Sequence, residues 1–331
     1  MTQYRNGNTS GAANEARRFF LHSPADATQS YVTWAEGLAG VPGIRFGCVL
    51  DKFIIPLHPG DLMAVVARPG HGKSSFMAYM AKREADAIVK RGKLGKEAVV
   101  YVSWEQPVEE IEAFFQSGDD YTSSDMAWGR VPLDTIKKRS IKRINLPIWT
   151  IGHSLRHANV KKPRMTVDVV YQAIEAMHAE YGITPTLVCL DYLQIVKTDS
   201  GGDRLTQVTD ATFAAKELAM RVGVPIIAGV QARRSVDDQR DPLPGMADAQ
   251  WSSAIEQTAD KQISLWRPSK THLSDEHPQI EIGGVNYVNN EELFAIKLLK
   301  QRFERGFGVW AVRFRPHTLE LFDYEHQRIN L

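Results

Sequence analysis

The sequence predicts an α/β fold in which a mainly parallel, twisted sheet is covered by helices on both faces. From Phe53 onward, apolar runs of strand length alternate with helical segments, as in sheets built from strands and crossover helices. Several of these runs are apolar throughout, which favours strands buried on both faces. A glycine-containing loop at residues 67–75 follows one such run and opens a helical segment, an arrangement typical of phosphate-binding α/β proteins.

Seven apolar runs are predicted to form strands, and four of the helices between them begin near Lys73, Val108, Thr166 and Gln207. The span 116–162 is irregular and partly basic, and we expect its charges to lie on a solvated helix face. The predicted strands are residues 62–67, 98–103, 187–191, 225–230, 262–266, 294–299 and 308–315.

Composition limits the class of protein. The 331 residues are 43% hydrophobic and 24% charged, which is ordinary for a soluble globular chain. No apolar run reaches the ~18 residues that a membrane-spanning helix needs, so no membrane partner is expected. The two cysteines, Cys48 and Cys189, have apolar neighbours and no metal-type spacing. They are predicted to be buried thiols in a reducing compartment, which favours the cytoplasm.

The net charge gives little indication of whether the protein binds nucleic acid. Forty Lys and Arg residues against 39 Asp and Glu residues give +1, so a broad basic surface for duplex DNA is not expected. A ring that holds one strand in a narrow channel remains compatible with this balance, because only a few loops then need positive charge.

The strongest local signal is the phosphate loop. Backbone N–H groups of a tight glycine loop and the N-terminus of the next helix can bind phosphate oxygens. Lys73 is expected to lie along the β- and γ-phosphates of ATP, and the Ser74 hydroxyl is expected to be a ligand of Mg²⁺. The alternative is a chance Gly-Lys-Ser at a helix start. Ala67 replaces the usual first glycine of the motif. The predicted nucleotide-binding residues are Arg68, Pro69, Gly70, His71, Gly72, Lys73, Ser74 and Ser75.

Three polar residues end predicted strands. Asp191 closes the apolar run 187–191, the position of a Walker B aspartate that holds the Mg²⁺ shell, although helix-capping aspartates are also common. Glu105 follows another strand and is a candidate to orient and deprotonate the attacking water. Gln231 either senses a γ-phosphate or caps the sheet edge. Together with Lys73, these residues are predicted to lie on one rim of the sheet.

Longer blocks of the sequence surround these motifs. The blocks are Pro59-Gly60-Asp61-Leu62 before the phosphate loop, Glu105-Gln106-Pro107, Leu190-Asp191-Tyr192-Leu193-Gln194, Ser253-Ala254-Ile255-Glu256-Gln257 with Ala259-Asp260, and Leu299-Lys300-Gln301-Arg302. They resemble the C-terminal RecA-like motor domain of DnaB-type replicative DNA helicases. Their order and spacing agree with that family from about Gly43 to Phe322.

The resemblance implies a fold and a domain organisation. We expect a RecA-like P-loop NTPase core with a C-terminal β extension over residues 41–331, preceded by a mobile N-terminal arm or linker at 1–40 that has one short helix near residues 14–21. About 40 residues before the motor are too few for the family's helical collar domain, so either the collar function is absent or another protein supplies it, and a separate loader or primase-type protein is a candidate partner.

The resemblance also implies a site shared between subunits. In this family the active site lies between neighbours in a hexameric ring, and Lys300 and Arg302 match the residues that reach a neighbour's γ-phosphate, Arg302 as the arginine finger. The alternative interpretation is a pair of surface cations on a strand.

Two loops, residues 197–206 and 232–252, correspond to those that grip single-stranded DNA. The second contains Arg233, Arg234 and Arg240, which can meet phosphates. Gln250 stands where the family commonly has an arginine, and Trp251 is an added aromatic residue that can stack on a base or pack between subunits.

The leading hypothesis is therefore an ATP-dependent helicase or single-stranded DNA translocase in replication, with 5′-to-3′ polarity. Two alternatives stay open: a nucleotide-switched assembly protein with little unwinding, and a recombination-type ATPase of the RadA or KaiC kind.

Overall fold

The computed structural model describes residues 21–40, 43–161, 164–196, 203–236, 243–249, 252–271, 278–303 and 307–324. The chain divides into two units, Met1–Gly43 and Ile44–Leu331. The first contains helix α1 (Pro24–Gly40), which has no buried residue. The sequence pattern did not predict this helix. The helix that it placed near residues 14–21 lies, except for Leu21, outside the described residues.

The second unit is built on a nine-stranded sheet with the order β11-β10-β9-β6-β1-β5-β4-β2-β3 among the described residues. The strands from β6 to β3 run parallel, whereas β9, β10 and β11 add an antiparallel edge. The predicted fold class and its C-terminal β extension are therefore confirmed. A separate antiparallel hairpin is formed by β7 and β8. The strands are β1 (Leu62–Ala67), β2 (Glu97–Ser103), β3 (Ile148–Gly152), β4 (Thr184–Asp191), β5 (Ile226–Gln231), β6 (Lys261–Trp266), β7 (Gln279–Ile282), β8 (Val285–Val288), β9 (Leu293–Gln301), β10 (Gly308–Arg315) and β11 (Glu320–Asp323).

Helices cover both faces of the sheet, and each face has its own apolar core. Phe76, Met77 and Met80 of α2 pack into one core, while the buried sides of α6 and α7 pack into the other. The helices of this unit are α2 (Lys73–Lys90), α3 (Val108–Gln116), α4 (Ser123–Ala127), α5 (Leu133–Ile144), α6 (Val167–Tyr181), α7 (Arg204–Val222) and α8 (Ser252–Thr258). None of the described helices is long and apolar enough to cross a membrane.

Local sequence explains where the two long helices of the second face begin and end. The Thr166 hydroxyl accepts a hydrogen bond from the Val169 N–H before α6, and the Asp203 carboxylate accepts one from the Thr206 N–H before α7. These are N-cap bonds to otherwise unpaired backbone donors. Both helices end at a glycine in the left-handed region, Gly182 and Gly223, where a side chain would be strained.

Each of the seven predicted strands is present; β1 and β10 have the predicted ends, and the other five have an end shifted by one to three residues. The span 116–162, which the sequence presented as irregular, contains α4, α5 and the edge strand β3. Lys137 and Lys138 are exposed as expected. Arg143 is not, because its guanidinium pairs with Glu112 at 2.7 Å. Cys189 is buried as predicted, and Cys48 is only partly buried.

Candidate nucleotide-binding site

The phosphate loop connects the end of β1 to the start of α2. Gly70 and Gly72 both have positive φ, +81° and +84°, a conformation that glycine adopts without strain. A Cβ at Gly72 would lie 2.6 Å from Cε1 of Phe294, whereas a Cβ at Gly70 would meet nothing within 4 Å. The Gly72 carbonyl accepts the N–H of Phe76 at 2.8 Å, so the helix begins directly at the loop. Tight backbone and close packing thus both require glycine at Gly72.

A cleft of about 410 Å³ opens over this loop, within the range of small-molecule sites. It brings together the predicted loop residues other than His71, and also Glu105 and Gln231. Four further residues that line it, Phe114, Tyr192, Arg267 and Pro316, were not predicted as site residues. The prediction that Lys73, Glu105, Asp191 and Gln231 share one rim agrees with this arrangement for Lys73, Glu105 and Gln231, whereas Asp191 is not among the described residues that line the cleft.

Lys73 and Asp191 form the base of the site. Lys73 Nζ lies 3.3 Å from Asp191 Oδ1, and the two side chains are 13% and 6% exposed. The same ammonium lies 3.9 Å from the ring centroid of Tyr192, close enough for a cation–π interaction. Burial lowers the pKa of Lys73, and the Asp191 charge acts against that shift. Lys73 is thus a desolvated cation, which interacts strongly with an anion that enters the cleft.

The Asp191 carboxylate is oriented by a hydrogen bond from a tyrosine on the neighbouring strand. The Tyr101 hydroxyl donates to Asp191 Oδ2 at 2.9 Å, because the β2–β4 register places Tyr101 beside Cys189 and Ser103 beside Asp191. Tyr101 is fully buried, and burial raises its pKa well above the usual value. The hydroxyl therefore stays a proton donor. The sequence places Tyr101 inside a predicted strand, but no motif marks it as a site residue.

Glu105 and Gln231 lie at the rim. Glu105 is exposed, and Gln231 is half-buried. The end of β5 is fixed by the Gln194 side-chain amide, which donates to the Gln231 carbonyl at 3.1 Å and accepts its N–H at 3.0 Å. In the parallel register Gln231 lies beside Ala67, the first residue of the loop motif. The end of β5 is thus next to the start of the phosphate loop.

His71 faces away from the cleft. Its Nδ1 accepts the backbone N–H of Arg267 at 3.1 Å, and the side chain is buried. The Arg267 guanidinium donates to the Glu291 carbonyl at 2.8 Å and lies 5.4 Å from the centroid of Phe294. A role for the His71 backbone in binding phosphate stays a prediction. Arg267 follows a predicted strand at the same sheet edge, and that placement alone would have made it a candidate.

Lys300 and Arg302 are not among the described residues that line the cleft. Lys300 Nζ contacts the carbonyl oxygen of Glu256 at 2.5 Å, and Arg302 Nε lies 2.9 Å from Asp260 Oδ1. Both cations belong to β9 and its exit, on the antiparallel side of the sheet. Their predicted action on a neighbour's nucleotide stays a prediction.

The predicted DNA-binding segment begins beside the phosphate loop. Arg233 and Arg234 follow β5 and are exposed, and the Arg233 N–H donates to the Asp248 carbonyl at 2.8 Å. Arg68 Nη1 donates to the carbonyl of Ala232 at 3.2 Å, which joins the loop to this segment. The other predicted DNA contacts, Arg240, Gln250 and Trp251, lie outside the described residues, as do residues 197–202 of the first loop.

Comparison with known proteins identifies relatives of most of the second unit. A family model described as the DnaB-like helicase C-terminal domain matches residues 43–320. "Replicative DNA helicase DnaB" of Mycoplasma genitalium is 26% identical over 286 residues, which are 84% of this chain and 56% of that protein. The Pasteurella multocida protein of the same name is 28% identical over 251 residues, 70% of this chain and 48% of the relative. The chain thus spans about half the length of the curated relatives that it matches.

Two solved structures share the fold. The "ATPase Domain of G40P" superposes with a TM-score of 0.71 at 18% identity, covering 92% of this chain and 100% of that one. A second structure, "The Structure Of A DnaB-Like Replicative Helicase And Its Interactions With Primase", gives a TM-score of 0.68 at 19% identity, covering 92% of this chain and 68% of the other. At these identities the likeness establishes the fold alone.

Proposed function

The chain belongs to the DnaB-like helicase C-terminal domain family, and on that premise we propose that it is an ATP-driven motor that moves on single-stranded DNA and unwinds duplex DNA in replication. The observation that carries the proposal is the base of the cleft, where the buried Lys73 and Asp191 meet at 3.3 Å beneath the glycine loop. A desolvated cation beside a carboxylate, with Glu105 at the rim, fits the hydrolysis of a nucleoside triphosphate and not only its binding.

The donor set fits a magnesium–nucleotide complex. Phosphates would lie on the loop from Arg68 to Ser75, with the Lys73 ammonium moving from Asp191 to the β- and γ-phosphate oxygens. The Ser74 hydroxyl and the Asp191 carboxylate are the oxygen ligands that would hold Mg²⁺, which prefers a few protein oxygens together with phosphates and water. Bound there, Mg²⁺ would neutralise phosphate charge. The Tyr101 hydrogen bond keeps Asp191 in one orientation for that role.

Hydrolysis needs an activated water molecule, and Glu105 is the proposed base. Its carboxylate is exposed at the rim, so it is accessible to water and able to accept a proton in the transition state. Gln231 ends the strand beside the loop and is proposed to contact the γ-phosphate through its amide. Loss of that phosphate would change the contact, and β5 would pass the change to Arg233 and Arg234.

The complete site is proposed to need a second subunit. Lys300 and Arg302 would reach the γ-phosphate of a neighbour in a hexameric ring, where a guanidinium stabilises transition-state charge. Arg302 is half exposed, so its side chain is accessible to another molecule. Movement of the ring along DNA is proposed to run 5′ to 3′.

Single-stranded DNA is proposed to pass along the segment that begins at Arg233. The net charge of +1 argues for a few basic loops in a channel, since a broad basic surface would need an excess of Lys and Arg. Arg240, Gln250 and Trp251 belong to the same proposal. One structural neighbour is a DnaB-like helicase described with its primase interactions, and a primase-type or loader protein is the proposed partner here. The proposed compartment is the cytoplasm.

The test is the rate of ATP hydrolysis with and without single-stranded DNA. We expect hydrolysis that requires Mg²⁺, rises several-fold with DNA and is lost in Lys73→Ala, since the variant lacks the cation that meets the phosphates. A matched control is Lys82→Ala, which removes a partly exposed lysine of the same helix that pairs with Asp86 four residues on. Hydrolysis that is unaffected by the Lys73 change would contradict the proposed site.

A further inference from the structure

The block that contains Glu256, Gln257 and Asp260 belongs to the sequence pattern of the family, but neither the cleft nor the proposed DNA segment includes it. In the structure, this block runs from the last turn of α8 to the start of β6. It is the part of the chain that contacts Lys300 and Arg302. Its contacts with these two cations therefore indicate what the block does.

Lys300 caps the end of α8. Its Nζ donates to the carbonyl oxygens of Glu256 at 2.5 Å and of Gln257 at 3.3 Å. The last carbonyls of a helix have no partner within the helix and carry partial negative charge, so a cation is favoured there. Burial lowers the pKa of Lys300, and the nearby Arg302 charge acts in the same direction. The ammonium is thus held in place by backbone atoms.

Arg302 is held by Asp260 at two points. The guanidinium Nε lies 2.9 Å from Asp260 Oδ1, and the backbone N–H of Arg302 donates to the Asp260 carbonyl at 3.0 Å. The Arg302 side chain is 52% exposed, whereas the Asp260 side chain is 4% exposed. A buried anion thus fixes the inner side of a guanidinium whose outer side is accessible to solvent.

Asp260 is itself rigidly placed. Its Oδ2 accepts the Leu62 N–H at 2.8 Å and the Lys216 ammonium at 2.7 Å, and its own N–H donates to the Leu62 carbonyl at 2.8 Å. A buried carboxylate with two cationic partners and a backbone donor is well compensated. Leu62 begins β1, the strand that ends at the phosphate loop, so the same carboxylate touches the strand that supports the loop.

We propose that the segment 256–260 is a cradle that positions Lys300 and Arg302 for a neighbouring subunit, with Asp260 as the positioning residue of the arginine finger. The inference rests on the proposed function, in which Arg302 acts on a neighbour's nucleotide. A guanidinium fixed through Nε presents its remaining nitrogens with little loss of side-chain freedom when the phosphate arrives. Asp260 also hydrogen-bonds to the first residue of β1. The same carboxylate therefore supports both the arginine finger of a subunit and the strand that leads to that subunit's own phosphate loop.

A double-mutant cycle on the full chain tests the cradle. We expect Arg302→Ala to lower kcat by about a hundredfold or more. We expect Asp260→Asn to lower kcat by about tenfold with KM changed less than about twofold, as for loss of transition-state positioning. In the Arg302→Ala background, Asp260→Asn should cause no further loss, since its amide oxygen can still accept the Leu62 N–H and the lost charge acts through Arg302. Equal losses in both backgrounds, or a wild-type kcat for Asp260→Asn, would overturn the proposal.

Lys216→Met is the matched control. It removes the other cation on the same carboxylate and leaves the Asp260–Arg302 contact in place. We expect its kcat to stay within about threefold of wild type, because the finger keeps its anchor. A loss as large as that of Asp260→Asn would overturn the proposal, since any weakening of the ion-pair cluster would then suffice.

A second measurement needs neither activity nor a folded variant. In nucleotide-free protein labelled with ¹⁵N-arginine, we expect the Nε–H group of Arg302 to show a clearly higher order parameter than that of Arg130, whose side chain is exposed and 3.8 Å from its acidic neighbour. The reason is that the ion pair with the buried Asp260 carboxylate restricts the Arg302 side chain. Equal order parameters for the two groups would overturn the cradle. A wild-type rate of hydrolysis in Arg302→Ala would instead refute the proposed finger, and the order parameter would still report the contact.

Discussion

Lys73 and Glu105 both line the cleft, but their chemical roles are expected to separate. Lys73 is buried at the base beside Asp191, where its charge serves binding. Glu105 is exposed at the rim, where its carboxylate serves the attacking water. The Tyr101 and Tyr192 contacts support the base through Asp191 and Lys73. Loss of Glu105 should therefore cost turnover and spare affinity.

We expect Glu105→Gln to lower kcat by about a hundredfold or more, the usual size of a general-base effect. The affinity for ATP, measured by titration of a fluorescent analogue, should change less than about threefold, because every group that binds phosphate is retained. Glu110→Gln is the control, since Glu110 is an exposed carboxylate on the adjoining helix. Wild-type-like turnover by the Glu105 variant would remove it from the role of base.

At the scale of single residues, sequence patterns predicted much of the candidate site. Lys73, Glu105, Asp191 and Gln231 were found because each stands at a strand end or in a loop motif, and parallel strands bring such ends to one edge. Tyr101 lies inside a buried strand, and its contact with Asp191 depends on the register between β2 and β4. Sequence patterns do not specify that register. The same holds for Phe294, which meets Gly72 from a strand more than 200 positions later.

At the scale of elements, the phosphate loop is the most constrained connection. Gly70→Ala and Gly72→Ala both place a side chain at positive φ, which costs about 1 kcal/mol or more of unfolding free energy. Only the Gly72 change also puts a Cβ 2.6 Å from the Phe294 ring. Urea unfolding should therefore show a larger loss of stability for Gly72→Ala, by about 1–3 kcal/mol. Equal losses for the two variants would mean that Phe294 does not restrain the loop.

The strands that sequence missed are those with weak patterns. β3 has five residues, of which only Ile148 is buried, and it pairs on one side with β2. An edge strand needs no continuous apolar run, so the sequence pattern of β3 does not stand out from the basic span around it. The hairpin of β7 and β8 alternates exposed and covered residues over four positions a strand. The fourth missed strand, β11, has four residues, of which only Leu321 is buried. By contrast, β1 is buried at all six positions and was predicted with the correct ends.

The segment after β5 should bind DNA through its charge. We expect Arg233→Ala with Arg234→Ala to weaken binding of single-stranded DNA and to reduce the slope of log K against log salt by about 0.7 for each phosphate that is no longer neutralised, because fewer counterions are released. Basal hydrolysis of ATP should persist while its stimulation by DNA falls. Fluorescence anisotropy at several salt concentrations measures both affinity and slope.

The matched control is Lys137→Ala with Lys138→Ala, which removes the same charge from two exposed residues of α5. That variant should keep the affinity and slope of the wild type. If both double variants change in the same way, or if the arginine variant binds DNA like the wild type, the segment after β5 does not bind the DNA. The loop at 197–206 or a partner must then provide that binding.

At the scale of the molecule, the proposed functions are divided between two regions of one sheet. The nucleotide cleft lies at the ends of the parallel strands, while Lys300 and Arg302 lie on the antiparallel side, held by the cradle at 256–260. A cleft and a finger in different regions of one chain suit a ring in which each subunit completes its neighbour's site. Composition could not predict this division, because it depends on where β9 joins the sheet.

The most direct test of the central claim, an ATP-driven motor on DNA, is strand displacement on a labelled fork by the wild-type protein. We expect the duplex to be separated only with ATP and Mg²⁺ and only when the fork has a single-stranded 5′ tail, because the proposed motor moves 5′ to 3′ on the strand that it encircles. Lys73→Ala should separate none, since it lacks the phosphate-binding cation. A protein that hydrolyses ATP in response to DNA but separates no fork, with either tail, would contradict the helicase and favour a nucleotide-switched assembly.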